Sequence, residues 1–217
     1  MIPRVKICGL NGPEAVDAAV DAGADLLGFI VFENSPRAVT PERAGELAAR
    51  KGAARSVAVL VDPDDGLLAR VREHVAPDFI QLHGKESPQR CAEVRAYARE
   101  GVWKAFGIGA AADLDAARAY EAHCDGFVFD ARPPRGADRP GGWGAAYDWS
   151  ILNGYESARP WLLSGGLTPA NVAGAIAASG APGVDVASGV ESSPGVKDLA
   201  AITAFVKAAK AARGQQT

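Results

Sequence analysis

Cysteine and histidine are scarce in this chain of 217 residues, which holds three of each. Cys8, Cys91 and Cys124 are odd in number and widely spaced, with no C-x-x-C and no Cys/His pair at zinc spacing. That pattern speaks against a disulfide framework and a structural metal, and for free thiols in a reducing compartment. Apolar runs of the roughly 18 residues that a membrane-spanning helix needs are missing. The opening MIPRVKICGLNG is interrupted by charge and lacks the apolar segment of a signal peptide, so a cytoplasmic protein is expected, with no membrane partner. A basic excess is missing as well: the net charge is −3, which argues against a nucleic-acid partner. Low-complexity tracts and linkers do not occur. With 48% hydrophobic and 23% charged residues, the chain has the balance of a globular protein with a sizeable core.

What the chain does have is alternation. Short apolar or β-branched runs are each followed by a longer, alanine-rich segment of helical period. The expected strands are Val5–Cys8, Leu26–Val31, Ser56–Val61, Phe79–Leu82, Val102–Phe106, Gly126–Phe129, Trp161–Leu163 and Val184–Val186. The expected helices are Pro13–Ala22, one opened by Thr40-Pro41, Asp64–Val75, Pro88–Arg99, Asp113–Ala122, one opened by Thr168-Pro169, and Lys197–Ala212. The segment after Asp148 is the least defined. Strands that are apolar throughout are buried on both faces, as in a parallel sheet. Eight such units at this length fit a single α/β domain over residues 1–217, a closed (β/α)8 TIM barrel, better than the alternative of an open doubly wound sheet. The Pro/Gly/Arg-rich stretch Ala131–Gly144 is the one long loop, and it follows the sixth strand.

In such a barrel the reactive groups sit at strand C-termini and in the loops that follow. Cys8 ends the first strand and Asp130 the sixth; Arg37 lies in the loop after the second. Asp62 and His83 end the third and fourth, and Asp62 reads as a cap for the next helix. Gly165-Gly166 follows the seventh strand and Ser188-Gly189 the eighth. Glycine-rich loops there commonly offer backbone N–H groups to a phosphate, although glycines also simply make tight turns. A thiol and a carboxyl at one end of a barrel suit general acid/base isomerisation. Each also has a plainer reading, Cys8 as a small core residue and Asp130 as a loop-capping carboxylate. Cys91 and Cys124, on or beside helices, read as inert, and Trp103, Trp149 and Trp161 as core.

Taken together, several runs resemble one family, phosphoribosylanthranilate isomerase of tryptophan biosynthesis. They are KICGL (Lys6–Leu10), GADLLGFIVFENSPRAV (Gly23–Val39), VLVDP (Val59–Pro63), IQLHGKES (Ile80–Ser87), FVFDA (Phe127–Ala131), GGWGAAYDW (Gly141–Trp149), LSGGLTPANV (Leu163–Val172) and GVDVASGVESSPGVKD (Gly183–Asp198). They occur in the family's order across nearly the whole chain. The resemblance implies an Amadori rearrangement of N-(5-phosphoribosyl)anthranilate to 1-(2-carboxyphenylamino)-1-deoxyribulose 5-phosphate. It implies Cys8 as general base, Asp130 as general acid, and Arg37 at the anthranilate carboxylate. Gly165, Gly166, Ser188 and Gly189 would hold the phosphate, and His83 and Asp185 would line the pocket. The partner implied is a phosphorylated small molecule, with no metal and no organic cofactor, for a monomer or a homodimer. One departure is Trp143, within GG-x-G, where the family commonly has threonine; it reads as loop packing.

Rival readings remain at this stage. The related isomerase of histidine biosynthesis places an aspartate where this chain has Cys8, and an enzyme using both substrates is a further variant. A metal-dependent epimerase needs clustered His and Asp ligands. A Schiff-base aldolase needs an interior lysine, for which Lys104 is a weak candidate. A non-catalytic phosphosugar-binding barrel needs only the glycine loops.

Overall fold

Side chains alternate across each strand, and this sorts the apolar residues into two layers. Cys8, Leu26, Val57, Val59, Trp103, Ala105, Val128 and Leu162 form one buried cluster. Their neighbours, among them Ile7, Leu27, Ala58, Ile80 and Phe127, belong to a second and larger one. The first cluster is the inside of a barrel and the second lies between barrel and helices. The computed structural model describes residues 5–132, 141 and 146–213.

Eight parallel strands close on themselves: β1 (Val5–Cys8), β2 (Leu26–Ile30), β3 (Arg55–Leu60), β4 (Phe79–Leu82), β5 (Gly101–Ile108), β6 (Gly126–Ala131), β7 (Trp161–Leu163) and β8 (Val184–Val186). β1 pairs with β2 on one side and β8 on the other, with Lys6 opposite Asp185. Helices α1 (Pro13–Asp21), α2 (Pro41–Ala48), α3 (Asp65–His74), α4 (Pro88–Val94), α5 (Leu114–Arg118), α6 (Val172–Ser179) and α7 (Leu199–Arg213) lie outside. The expected Thr40 cap holds for α2, where its side chain accepts from Arg43 N at 3.2 Å; in α4 the structure adds a Ser87 cap that accepts from Arg90 N at 3.1 Å.

Several expectations need correction. Asp62 does not cap α3; Asp64 does, accepting from Leu67 N at 2.7 Å, while Asp62 accepts from Lys85 N. The helix expected over Pro88–Arg99 ends at Val94 and continues only as a 3-10 turn, Arg95–Tyr97. The one expected over Asp113–Ala122 shrinks to α5. Thr168-Pro169 does not open α6. Asn171 accepts from Thr168 N at 2.7 Å and donates to Gly166 O at 2.9 Å, folding the stretch into a turn ahead of Val172. Lys197 lies in a strand, not a helix. β9 (Glu191–Ser193) and β10 (Val196–Lys197) make an antiparallel hairpin after β8, and α7 starts beyond it.

Between Gly141 and β7 the described residues form no α-helix, only the 3-10 turn Trp149–Leu152. Aromatic rings cover the outer face there instead. Phe129 packs edge-on to Tyr155 at 5.1 Å and against Trp161 at 5.5 Å. Trp103 and Trp161 are buried, as expected. No helix among the described residues is long and apolar enough to cross a membrane.

α2 and α3 meet closely at Gly45, where an added Cβ would lie 2.2 Å from the His74 carbonyl oxygen. Backbone cannot yield as a side-chain tip can. Gly45→Ala is therefore expected to cost about 1–3 kcal/mol through overpacking, despite alanine's better helix propensity. Urea unfolding measures it, and an unchanged midpoint would mean that the helices can slide apart.

Candidate active site

One cavity of about 810 Å³, counting the part open to solvent, lies at the C-terminal ends of the strands. Cys8, Arg37, His83, Asp130 and Asp185 all line it. So do Gly165, Gly166, Ser188 and Gly189. Residues expected from sequence to act together thus meet in one place. Trp143 lies outside the described residues, as does most of the Ala131–Gly144 loop.

Cys8 ends β1 inside the barrel and is buried. Lys6, two residues back on the same face, is also buried, and its Nζ donates to Asp185 Oδ1 at 2.9 Å. Burial pushes the Cys8 thiol above its ordinary value; the Lys6 ammonium opposes this, and the Asp185 carboxylate adds to it. Burial also disfavours the Lys6 charge, but Asp185 and Cys8 more than offset it and hold that ammonium above its usual value.

Asp130 is the last residue but one of β6, with Oδ1 accepting from Ala131 N at 2.8 Å. Burial raises its carboxyl to about 7; the Ala131 N–H and Lys6 pull down while Asp185 pushes up. His83 Nε2 approaches Asp130 Oδ2 to 3.6 Å. This is not an ion pair, because burial and the charges of Lys104 and Lys6 lower the imidazole to about 3, leaving it neutral at pH 7. The Gln81 side-chain amide lies 3.3 Å from His83 Nδ1, which holds the ring with Nε2 facing Asp130. Gly141 sits against both, since a Cβ there would meet Asp130 Oδ2 at 2.8 Å and His83 Nε2 at 3.0 Å.

Arg37 is buried, and its Nε and Nη2 donate to Glu191 Oε1 and Oε2 at 2.6 and 2.8 Å. Lys197 donates to Glu191 at 2.8 Å and to Ala187 O at 2.7 Å, tying the hairpin to the end of β8. One edge of the guanidinium fork is thus occupied within the protein, and among the described residues the Nη1–Nη2 edge makes no further hydrogen bond. Gly9, with φ of 75°, makes room for the Arg37 stem, because a Cβ there would lie 2.5 Å from Arg37 Cδ.

Gly165 and Gly166 both have positive φ, 89° and 67°, so the tight-turn reading of this pair holds as well as its position in the cavity. Trp149, expected in the core, is only partly buried and donates from Nε1 to Gly165 O at 3.2 Å. Ser164 Oγ lies 3.5 Å from Asp185 Oδ2.

Sequence reasoning gave no role to Lys6, Gln81, Ser164, Glu191 or Lys197. A signal existed for Lys6, a charge inside an otherwise apolar strand. Pro194-Gly195 signalled the hairpin turn that carries Glu191 and Lys197. Lys104 faces outward, donating to Gly84 O at 3.0 Å and pairing with Glu86 at 3.3 Å, so it offers no interior amine for a Schiff base. Cys91 and Cys124 are buried free thiols away from the cavity lining. Among the described residues, no group of three or more His, Cys, Asp or Glu side chains could hold a metal ion.

A family model described as N-(5'phosphoribosyl)anthranilate (PRA) isomerase matches residues 5–208. An N-(5'-phosphoribosyl)anthranilate isomerase of Paracoccus denitrificans is 51% identical over 213 residues, covering 97% of this chain and 99% of that one. The enzyme of the same name from Paramagnetospirillum magneticum is 50% identical over 211 residues, 97% and 98% of the two chains. Among solved structures, phosphoribosyl anthranilate isomerase from Thermotoga maritima superposes with a TM-score of 0.86 at 35% identity, covering 97% of this chain and 100% of that one. A phosphoribosyl anthranilate isomerase in complex with reduced 1-(o-carboxyphenylamino)-1-deoxyribulose 5-phosphate gives 0.83 at 32%, with the same coverage. A closed barrel, a thiol and a carboxyl in one cavity, and relatives matched end to end lead to one conclusion: the chain belongs to the N-(5'-phosphoribosyl)anthranilate isomerase family.

Proposed function

We propose that the protein converts N-(5'-phosphoribosyl)anthranilate to 1-(2-carboxyphenylamino)-1-deoxyribulose 5-phosphate, with Asp130 as general acid and Cys8 as general base. The observation that carries this is the cavity that both side chains line, with the Asp130 carboxyl raised to about 7. At neutral pH such a group is protonated about half the time and can give a proton away. Asp130 protonates the furanose ring oxygen, and the ring opens to a Schiff base. The iminium withdraws electrons from the sugar C2–H bond. Cys8 thiolate takes that proton, and the enolamine formed then ketonises. The iminium is the electron sink, so the chemistry calls on no metal and no organic cofactor, and the reaction is an aldose–ketose isomerisation.

Gly165, Gly166, Ser188 and Gly189 are read as the phosphate cradle. Binding there is remote from the bonds that change and helps by orienting the sugar between acid and base. The free edge of Arg37 is read as the partner of the anthranilate carboxylate, with Glu191 fixing the guanidinium plane. His83 and Asp185 line the same pocket. We read residues 1–217 as one domain, working in the cytoplasm as a monomer or a homodimer.

Purified protein incubated with N-(5'-phosphoribosyl)anthranilate is expected to form the ribulose product, followed by chromatography; absence of turnover would leave only a phosphosugar-binding barrel. Cys8→Ser and Asp130→Asn are each expected to lower kcat by about 100-fold or more, since neither replacement can carry its proton at neutral pH. Near-wild-type turnover in either would remove that assignment. Arg37→Lys should raise KM and lower kcat/KM, because a lysine can neither keep the Glu191 fork nor present a second planar edge; unchanged kcat/KM would remove Arg37 from the carboxylate.

The pH dependence follows from the two directions. The working enzyme needs Asp130 protonated and Cys8 ionised, yet Asp130 loses its proton at about 7, below the raised thiol. Below that point kcat/KM should climb with pH as thiolate accumulates. Above it the gain in thiolate is cancelled by loss of the acid, and the profile should flatten until the thiol itself titrates. A climb continuing unbroken through pH 8 would mean that Asp130 is not the acid.

A further inference from the structure

A lysine ammonium inside a barrel is costly, and well-packed apolar residues would fill the space at least as stably. Lys6 is nonetheless 1% exposed, held by Asp185 at 2.9 Å, and does not line the cavity above it. Its place is defined by Gly28, which β2 sets opposite Cys8. A Cβ at Gly28 would lie 2.9 Å from Cys8 Sγ and 3.2 Å from Lys6 Nζ. The missing side chain is what lets sulfur and ammonium lie side by side, one step below the surface that a substrate would touch.

We propose that Lys6 is a positioning residue for the isomerase reaction: it stabilises the Cys8 thiolate through its buried positive charge, and Asp185 sets how much of that charge the sulfur receives. This rests on the reading of Cys8 as the base. The working state, protonated Asp130 with ionised Cys8, is a minor fraction of the enzyme, so a cation that favours thiolate raises the active fraction at every pH between the two titrations. The other charged or titratable groups facing Cys8 are Asp185 from β8 and Lys197 from β10. Asp130 from β6, His83 from β4 and the Arg37–Glu191 pair share the cavity or its edge. Lys197 has its own partner in Glu191, and among the charges acting on the thiol the Lys6 ammonium is the largest.

The test is the pH dependence of Cys8 alkylation by iodoacetamide, read by mass spectrometry of the Cys8 peptide, alongside kcat/KM. Lys6→Met should move the alkylation inflection up by about one pH unit or more, and lower kcat/KM at neutral pH roughly tenfold. Asp185→Asn should move it down, because it frees the ammonium for the sulfur and removes a repelling carboxylate. Lys6→Arg should stay closer to the wild type than Lys6→Met. A purely structural pair would not give shifts of opposite sign. Should Lys6→Met fail to fold, the double variant Lys6→Met/Asp185→Asn removes both buried charges, and its inflection is compared with that of Asp185→Asn alone. Equal inflections in those two, or an unmoved inflection in folded Lys6→Met, overturn the proposal. Alkylation does not depend on what Cys8 does to substrate. Inflections that move as expected while turnover stays unchanged therefore support the Lys6–Cys8 pairing and count against Cys8 as the base.

Discussion

The closure of β1 against β8 is the constraint from which the rest of the site follows. Its register sets Lys6 opposite Asp185, two opposite charges buried where an unpaired one would cost about 3–5 kcal/mol. Once that pair is made, alternation along β1 turns Cys8 inward one layer higher, and the end of β8 delivers Ser188 and Gly189 beside it. The neighbouring seam is thinner: β7 and β8 pair only through Leu163 and Val184. The ion pair thus ties Cys8 and the turn after β8 into one geometry, on the side of β8 away from that thin seam.

Dryness raises both Asp130 and Cys8, with opposite consequences for the acid and base roles proposed for them. Burial raises Asp130 toward neutrality, which suits a proton donor, and raises Cys8 as well, which does not suit a proton acceptor. The environment compensates by charge placement. His83 stays neutral next to Asp130 and adds no charge that would ionise the acid, and the pull of Lys6 on it is outweighed by burial. The cation is placed at the thiol instead, across the cavity floor. One enclosed pocket can then run acid and base chemistry with groups whose intrinsic order of acidity is the reverse of what the reaction asks.

The barrel was legible because its strands are short, apolar and buried on both faces, and because Thr40-Pro41 announces α2 in standard cap chemistry. Boundaries failed where tertiary contacts overrode local signals. Asn171 folds back on Thr168 and Gly166 and delays α6, and pairing with β9 takes Lys197 out of the last helix. All of the site residues expected from sequence line the cavity; strand ends are easy to locate in an alternating chain, and the family resemblance supplied Asp185, which lies within β8. Lys6 and Glu191 drew no role from sequence, despite a charge in an apolar strand and a Pro-Gly turn, because their meaning lies in partners far away in sequence. Nothing near Lys6 names Asp185, and nothing near Glu191 says that it will clamp Arg37, 154 positions earlier.

Lys6 and Asp185 lie 179 positions apart, nearly the length of the chain. Synthesis is vectorial, so the ribosome releases the base-bearing strand long before the strand that completes its surroundings. Until β8 emerges, β1 lacks both its second neighbouring strand and the carboxylate that pairs with Lys6. Such long-range closure is slow relative to local hairpin or helix formation, and it comes last. The surroundings of Cys8 are therefore complete only once the first and last strands of the barrel have met.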